Sequence, residues 1–114
     1  MEKREEDTLG FTKGISFEFS RDIQYSSRGI VSKNVLKTEK GNISLFAFDK
    51  GESLSEHTAP FDALVQVLEG LASIQIGGKE HLLSSGESII MPANITHAIS
   101  APERFKMILT MLKA

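Results

Sequence analysis

Apolar and polar residues alternate with a period of two along much of this chain, in short runs separated by turn residues. Ile15 to Phe19 alternates in this way and predicts a first strand, and Ile30 to Leu36 predicts a second. Glu39-Lys40-Gly41-Asn42 reads as a turn, Ile43 to Phe48 as a strand, and Asp49-Lys50-Gly51-Glu52 as the turn that closes it. Ala63 to Leu68 is rich in β-forming residues, and Gly70 interrupts the run as a bulge or tight bend. In Leu71 to Ile76, the apolar Ala72, Ile74 and Ile76 alternate with Ser73 and Gln75. Gly77-Gly78 is a two-residue hairpin signal, because both positions can take a positive φ. His81 to Leu83 leads to the turn Ser84-Ser85-Gly86, and Ser88 to Met91 ends at Pro92, which has no N–H for a sheet ladder. Phe105 to Leu112 places Phe105, Met107, Leu109 and Met111 on one face, which should point inward, and Lys106 and Thr110 on the other.

No stretch sustains a helical period. A set of about ten short strands with frequent turns predicts an all-β sandwich or barrel. A jelly-roll barrel, or double-stranded β-helix, closes most of its edges and leaves a cavity open at one mouth, where a ligand can enter. With 114 residues the chain has the size of one domain. Residues 1–12 read as a flexible N-terminal segment and 13–114 as a single barrel domain, because the run Glu2 to Asp7 mixes charges ahead of any periodic pattern.

Composition narrows the function classes. There is no cysteine, so no disulfide and no thiolate nucleophile or ligand. Thirteen basic and 15 acidic residues leave a net charge of −2 and no basic patch, which argues against nucleic acid as a partner. The apolar runs are strand-sized, so no membrane partner is expected, no signal peptide is read, and a cytoplasmic location follows as the expectation.

Two segments carry the chemistry. The first runs from Gly51 through His57, Ala59, Asp62 and Ala63 to Gly70, and the second from Gly86 through Pro92 and Asn94 to His97. Their spacing resembles the two motifs of the cupin superfamily: Gly51, His57 and Gly70 fall in register in the first, and Gly86, Pro92 and His97 in the second. The resemblance implies the jelly-roll barrel already suggested by the strand pattern. It also implies a site of three histidines and one glutamate that holds a divalent metal. Here the second histidine of the first motif is Ala59, the glutamate position is Ala63, the Pro-x-Gly glycine is Asn94, and the motif's last Asn is Ala101. His57 and His97 remain.

Two histidines make a weak metal site, so the cofactor expected is none or a weakly held divalent metal ion on His57 and His97. The sharp reading makes these two a pocket pair for a ligand or metal; the plain one makes them inert barrel histidines bonded to backbone. Gln66, polar within an apolar run, is a further pocket candidate or a residue facing a partner or solvent. Asp62 reads as a solvated loop carboxylate after Pro60-Phe61, one residue away from the glutamate position and hence on the other face of a strand. His81 lies outside both motifs. Ala63 to Leu68 is apolar on both faces, which calls for a cover: the N-terminal segment or, as cupins commonly dimerise, a second copy in a homodimer.

The functional expectation is a barrel that binds a small polar or aromatic molecule beside an incomplete metal site. A metal-dependent enzyme of the isomerase, dioxygenase or decarboxylase type on His57 and His97 is the alternative. A metal-free acid–base enzyme using either histidine as proton carrier is a third reading.

Overall fold

A strand leaves its backbone N–H and C=O groups unsatisfied until it finds a neighbour, so short runs of this kind are stable only as parts of a curled sheet. The computed structural model describes residues 11–114. Eight strands form among them: β1 (Ile30–Thr38), β2 (Gly41–Phe48), β3 (Ser53–His57), β4 (Phe61–Ile76), β5 (Lys79–Ser84), β6 (Ser88–Met91), β7 (His97–Ser100) and β8 (Phe105–Lys113). All pairings are antiparallel, in the order β1-β2-β8-β4-β7-β3, with β5 and β6 also on β4. No described helix is long and apolar enough to cross a membrane.

The long strand β4 makes the jelly roll. Residues 61–70 pair with β8 and, in part, with β6; residues 71–76 pair with β5, and the last four of these also with β7. The change of sheet happens at Gly70, where φ is +88° and a Cβ would sit 1.9 Å from the Arg104 carbonyl oxygen. Only glycine tolerates both the conformation and the approach. The inner faces of the two sheets then meet. Ala63, Val65 and Val67 from the first half of β4 join Ala72 and Ile74 from the second, with Phe48 stacked on Phe105 at 4.6 Å. Phe105, Met107, Leu109 and Met111 all belong to this inner core, as their alternation predicts.

Loop hydrogen bonds define the two ends of the barrel. At one end Asn94 N donates to Ala59 O, Gly77 N to Thr96 O, Lys113 N to Lys40 O and Ala114 N to Pro60 O, gathering five segments into one rim. At the other, Gly51 N donates to Ala101 O and Gly86 N to Val67 O.

A second cluster lies on the outer face, where Ile23 of the segment that precedes β1 is buried against Leu45, Ala47 and Ile108. Two lysines fasten that segment: Lys106 Nζ donates to Ser20 O and Lys33 Nζ to Asp22 O, both at 2.7 Å. Tyr25 donates to Glu69 Oε2 at 2.7 Å, with the Arg104 guanidinium 4.3 Å above its ring. The outer side of β4 at Leu68 is thus packed by the chain's own N-terminal part.

Several sequence expectations change. Ile15 to Phe19 is not a strand but an irregular stretch between two turns, in which Phe17 packs edge-on against Phe11 and Phe19 at 4.9 and 5.1 Å. Its alternation finds no ladder partner, and Ile15 and Phe17 remain exposed. Gly41 and Asn42 belong to β2, leaving a turn of Glu39 and Lys40 alone. Strands β3 and β7 were not foreseen, and the described count is eight where about ten were expected. The flexible segment expected at 1–12 lies outside the described residues except for Phe11 and Thr12.

Candidate functional site

His57 and His97 owe their meeting to an irregular ladder. On β3, Leu54 pairs with Ile99 of β7, and His57 pairs with His97. Ser55 and Glu56 therefore stand against the single residue Ala98, which is a β-bulge. Regular pairing would put Leu54 and His57 on opposite faces, since they are an odd number of residues apart. The extra residue restores both to the inner face, because Leu54 packs on the inner core and His97 alternates with the core residues Ile99 and Ala101. One further strand along, His97 pairs with Ile76 at the end of β4, so the histidines sit at the rim where the loops gather.

The rings are in direct contact. Their Nε2 atoms are 3.2 Å apart, and the planes cross at 70° with centroids 4.4 Å apart. His57 Nδ1 lies 2.8 Å from Ser55 O; a carbonyl only accepts, so Nδ1 carries the proton and Nε2 a lone pair. His57 is exposed, whereas His97 is only 7% exposed. If neutral His97 donates from Nε2 to His57, its Nδ1 is a buried acceptor with no partner. If it carries the proton on Nδ1 instead, that N–H is the unpartnered group and two Nε2 lone pairs oppose each other. Either neutral tautomer leaves the pair short of one partner. Burial first, and then the nearby His57 charge, push the His97 pKa below the ordinary imidazole range; the Ile95 backbone pulls weakly the other way without a well-formed hydrogen bond to Nδ1.

The other candidates stand elsewhere. Ala63 is buried on the inner face at the position where the cupin motif has its glutamate, and it brings no donor. Asp62 is not on a loop: it lies in β4, alternates with Ala63 onto the outer face, and accepts from Ala93 N at 3.0 Å, pinning the loop before β7. Gln66 lies between the inward Val65 and Val67, so it is on the outer face of β4, away from the histidines. His81 pairs with Ile74 and shares the inner face, but β4 separates its strand from β7. It joins no group of three His, Cys, Asp or Glu able to hold a metal ion among the described residues.

The donor set does not suit a resident metal. No group of three His, Cys, Asp or Glu side chains able to hold a metal ion forms among the described residues. A structural or catalytic site wants at least three protein ligands. Two imidazoles alone offer a divalent ion a weak, exchangeable seat.

The comparisons agree with the fold. The sequence profile of the Cupin domain matches residues 44–112. A conserved protein of unknown function from Streptococcus pyogenes is 29% identical, with 94% of each chain covered and a TM-score of 0.87. A cupin 2 conserved barrel domain protein from Leptotrichia buccalis is 41% identical over 82% of this chain but 46% of its own, with a TM-score of 0.80. A cupin superfamily protein from Desulfitobacterium hafniense is 27% identical over 94% and 98%, with a TM-score of 0.85. No curated protein matches the sequence.

Proposed function

Since this chain belongs to the cupin superfamily, we propose that it acts as a small-molecule-binding barrel whose ligand meets His57 and His97 at the rim, with no resident metal. The observation that carries the reading is the contact between the two Nε2 atoms, which leaves a buried ring nitrogen of His97 without a partner. A structural histidine would have spent both nitrogens on the fold. This pair is short of one proton, ion or ligand group.

The chemistry follows from the tautomers. The pair can share one added proton as N–H⁺···N between the Nε2 atoms, which places a positive charge at the rim. A ligand reaching exposed His57 Nε2 substitutes for His97, whose ring is then free to turn. A divalent ion would compete for the same lone pairs and would exchange readily, because Ala59 and Ala63 contribute nothing to hold it.

The test is elemental analysis of protein purified without chelators, followed by titration with Zn²⁺ alone. The expected result is substoichiometric metal on isolation and Zn²⁺ binding that dialysis reverses and His57→Ala abolishes. Stoichiometric metal that survives dialysis and disappears in His57→Ala would overturn the metal-free reading in favour of a metal-dependent enzyme.

A further inference from the structure

The inner face of β1 and β2 is also polar, and the sequence pattern shows little sign of it. On β2, Ile43 and Leu45 belong to the outer cluster. Asn42 and Ser44 alternate with them and pair with Met111 and Leu109, both packed on the inner core. They therefore face inward, and Ser44 Oγ donates to Asn42 Oδ1 at 3.4 Å. On β1, Asn34 pairs with Ser44. Past an irregularity between Asn34 and Leu36, Lys37 pairs with Asn42. Directly opposite residues share a face, so Asn34 and Lys37 join the inward set.

These positions lie at the histidine end. Asn42 follows the β1–β2 turn, whose Lys40 carbonyl accepts from Lys113 N in the same rim. They are open to solvent as well: Asn34 and Lys37 are exposed although they face inward, and Asn42 and Ser44 are half-buried. The strand order explains this, since β1 and β3 are its two ends and do not pair. Between the walls lies the apolar inner face of β8 and β4, with Leu109 and Met111.

The charged side chains on the inward strand positions of this mouth are basic. Lys37 has no ion-pair partner among the described residues. Lys113 continues the inward alternation of β8 after Met111. Glu39 stands exposed in the β1–β2 turn at the edge of the rim, while Asp62 is on the outer face bound to Ala93 N and Glu56 sits in the β3 bulge opposite outward-facing Ala98. A chain with a net charge of −2 thus presents inward-facing amide, hydroxyl, ammonium and imidazole groups at this rim.

We infer that Lys37, Asn42, Asn34 and Ser44 form the second wall of the binding site and select a small organic dianion, one carboxylate at Lys37 and Asn42 and the other at the histidine pair. The inference rests on the binding reading above. Facing sheets lie about 10 Å apart, so a short dicarboxylate with an apolar middle bridges the walls, its methylenes over Leu109 and Met111. Asn and Ser supply neutral donors that hold a carboxylate without requiring a second fixed charge.

The experiment is an NMR titration of the metal-free protein with malonate, succinate, glutarate and adipate, with glutaramide as the neutral control. The expected result is saturable shifts at both the His57/His97 imidazoles and the Asn34/Asn42 side-chain amides. The longer acids should bind best and glutaramide at least tenfold more weakly. Lys37→Gln should weaken binding about tenfold and Lys37→Glu further, with the histidine resonances of the free protein unchanged. Shifts confined to the histidines and indifferent to Lys37 would overturn the second wall while leaving the histidine pocket standing. Absence of shifts at either wall would overturn the dianion assignment, and the Zn²⁺ titration then judges the histidine pocket separately.

Discussion

Replacing His97 by leucine separates a binding histidine from a structural one. In the folded protein His97 is 7% exposed, donates at most one hydrogen bond to His57, and leaves Nδ1 without a partner. A buried unsatisfied polar atom costs about 1–3 kcal/mol, and a neutral hydrogen bond contributes about 0.5–1.5 kcal/mol. Leucine has a similar volume, carries no polar atom and continues the apolar row of Ile99 and Ala101. His97→Leu should therefore be neutral to about 2 kcal/mol stabilising, a rise of up to roughly 8 °C in Tm for a domain of this size. The assay is thermal unfolding with chelator present, repeated between pH 5 and 8. The sign of the pH effect follows from burial. Because the folded His97 pKa lies below the unfolded one, the unfolded chain takes up the proton first. Wild-type stability is thus full above the unfolded value of about 6.5 and falls as pH drops through it toward the lowered folded value. His97→Leu should lose that component of the pH dependence and lose Zn²⁺ binding together. A destabilisation above about 2 kcal/mol at pH 8 would mean that His97 is fully satisfied by the fold, and the binding reading would lose its foundation.

Other consequences are as definite. Gly70→Ala and Gly86→Ala both place a Cβ at φ near +88°, but only the first meets backbone, the Arg104 oxygen at 1.9 Å. Gly86→Ala should cost about 1–2 kcal/mol, and Gly70→Ala distinctly more or fail to fold; equal losses in urea melts would contradict the crossover described for β4. Lys106→Ala removes the ammonium that holds Ser20 O. It should destabilise by about 1.5–3 kcal/mol and speed tryptic cleavage after Arg21, and unchanged cleavage would show that the N-terminal part is held by its apolar contacts alone. Leu64 and its ladder partner Ile90, the latter 63% exposed, leave part of the outer face of β4 and β6 open. We propose that a second copy covers it, giving a species of twice the 12.5 kDa monomer in sedimentation velocity at micromolar concentration; monomer alone would refute this.

The strands that could be read from the sequence are those with one apolar face long enough to show its period. Phe105 to Leu112 and Leu71 to Ile76 are of this kind, and the inward side was legible because packing enforces it at every second residue. Ile15 to Phe19 misled because alternation alone does not supply a ladder partner: Ile15 and Phe17 stay exposed, and Phe17 meets Phe11 only through ring contact. Strands β3 and β7 carry five and four residues, too few to show a period, and β3 is mostly polar. Their existence depends on each other and on the end of β4, which are long-range pairings no local pattern contains.

The site was legible as positions but not as geometry. The matched motif registers singled out His57 and His97, yet β3 brings His57 to the inner face only through the extra residue at Ser55 and Glu56. The same one-residue logic excluded Gln66, which looked like a pocket residue because it was polar in an apolar run. That run is apolar on both sides since two clusters flank it: the inner core through Val65 and Val67, and the outer one through Leu68. Polarity in such a strand says nothing about direction; parity relative to a known inward residue does. Applied to β2, parity places Asn42 and Ser44 inside, and to β1, Asn34 and Lys37. The mouth thus sets inward-facing Lys37 and amide groups opposite a histidine pair whose buried His97 Nδ1 has no partner. Charge reversal at Lys37 is the perturbation that separates a disused metal site from an anion site, since Lys37 lies on the strand farthest from β3 in the ladder order and belongs to neither motif.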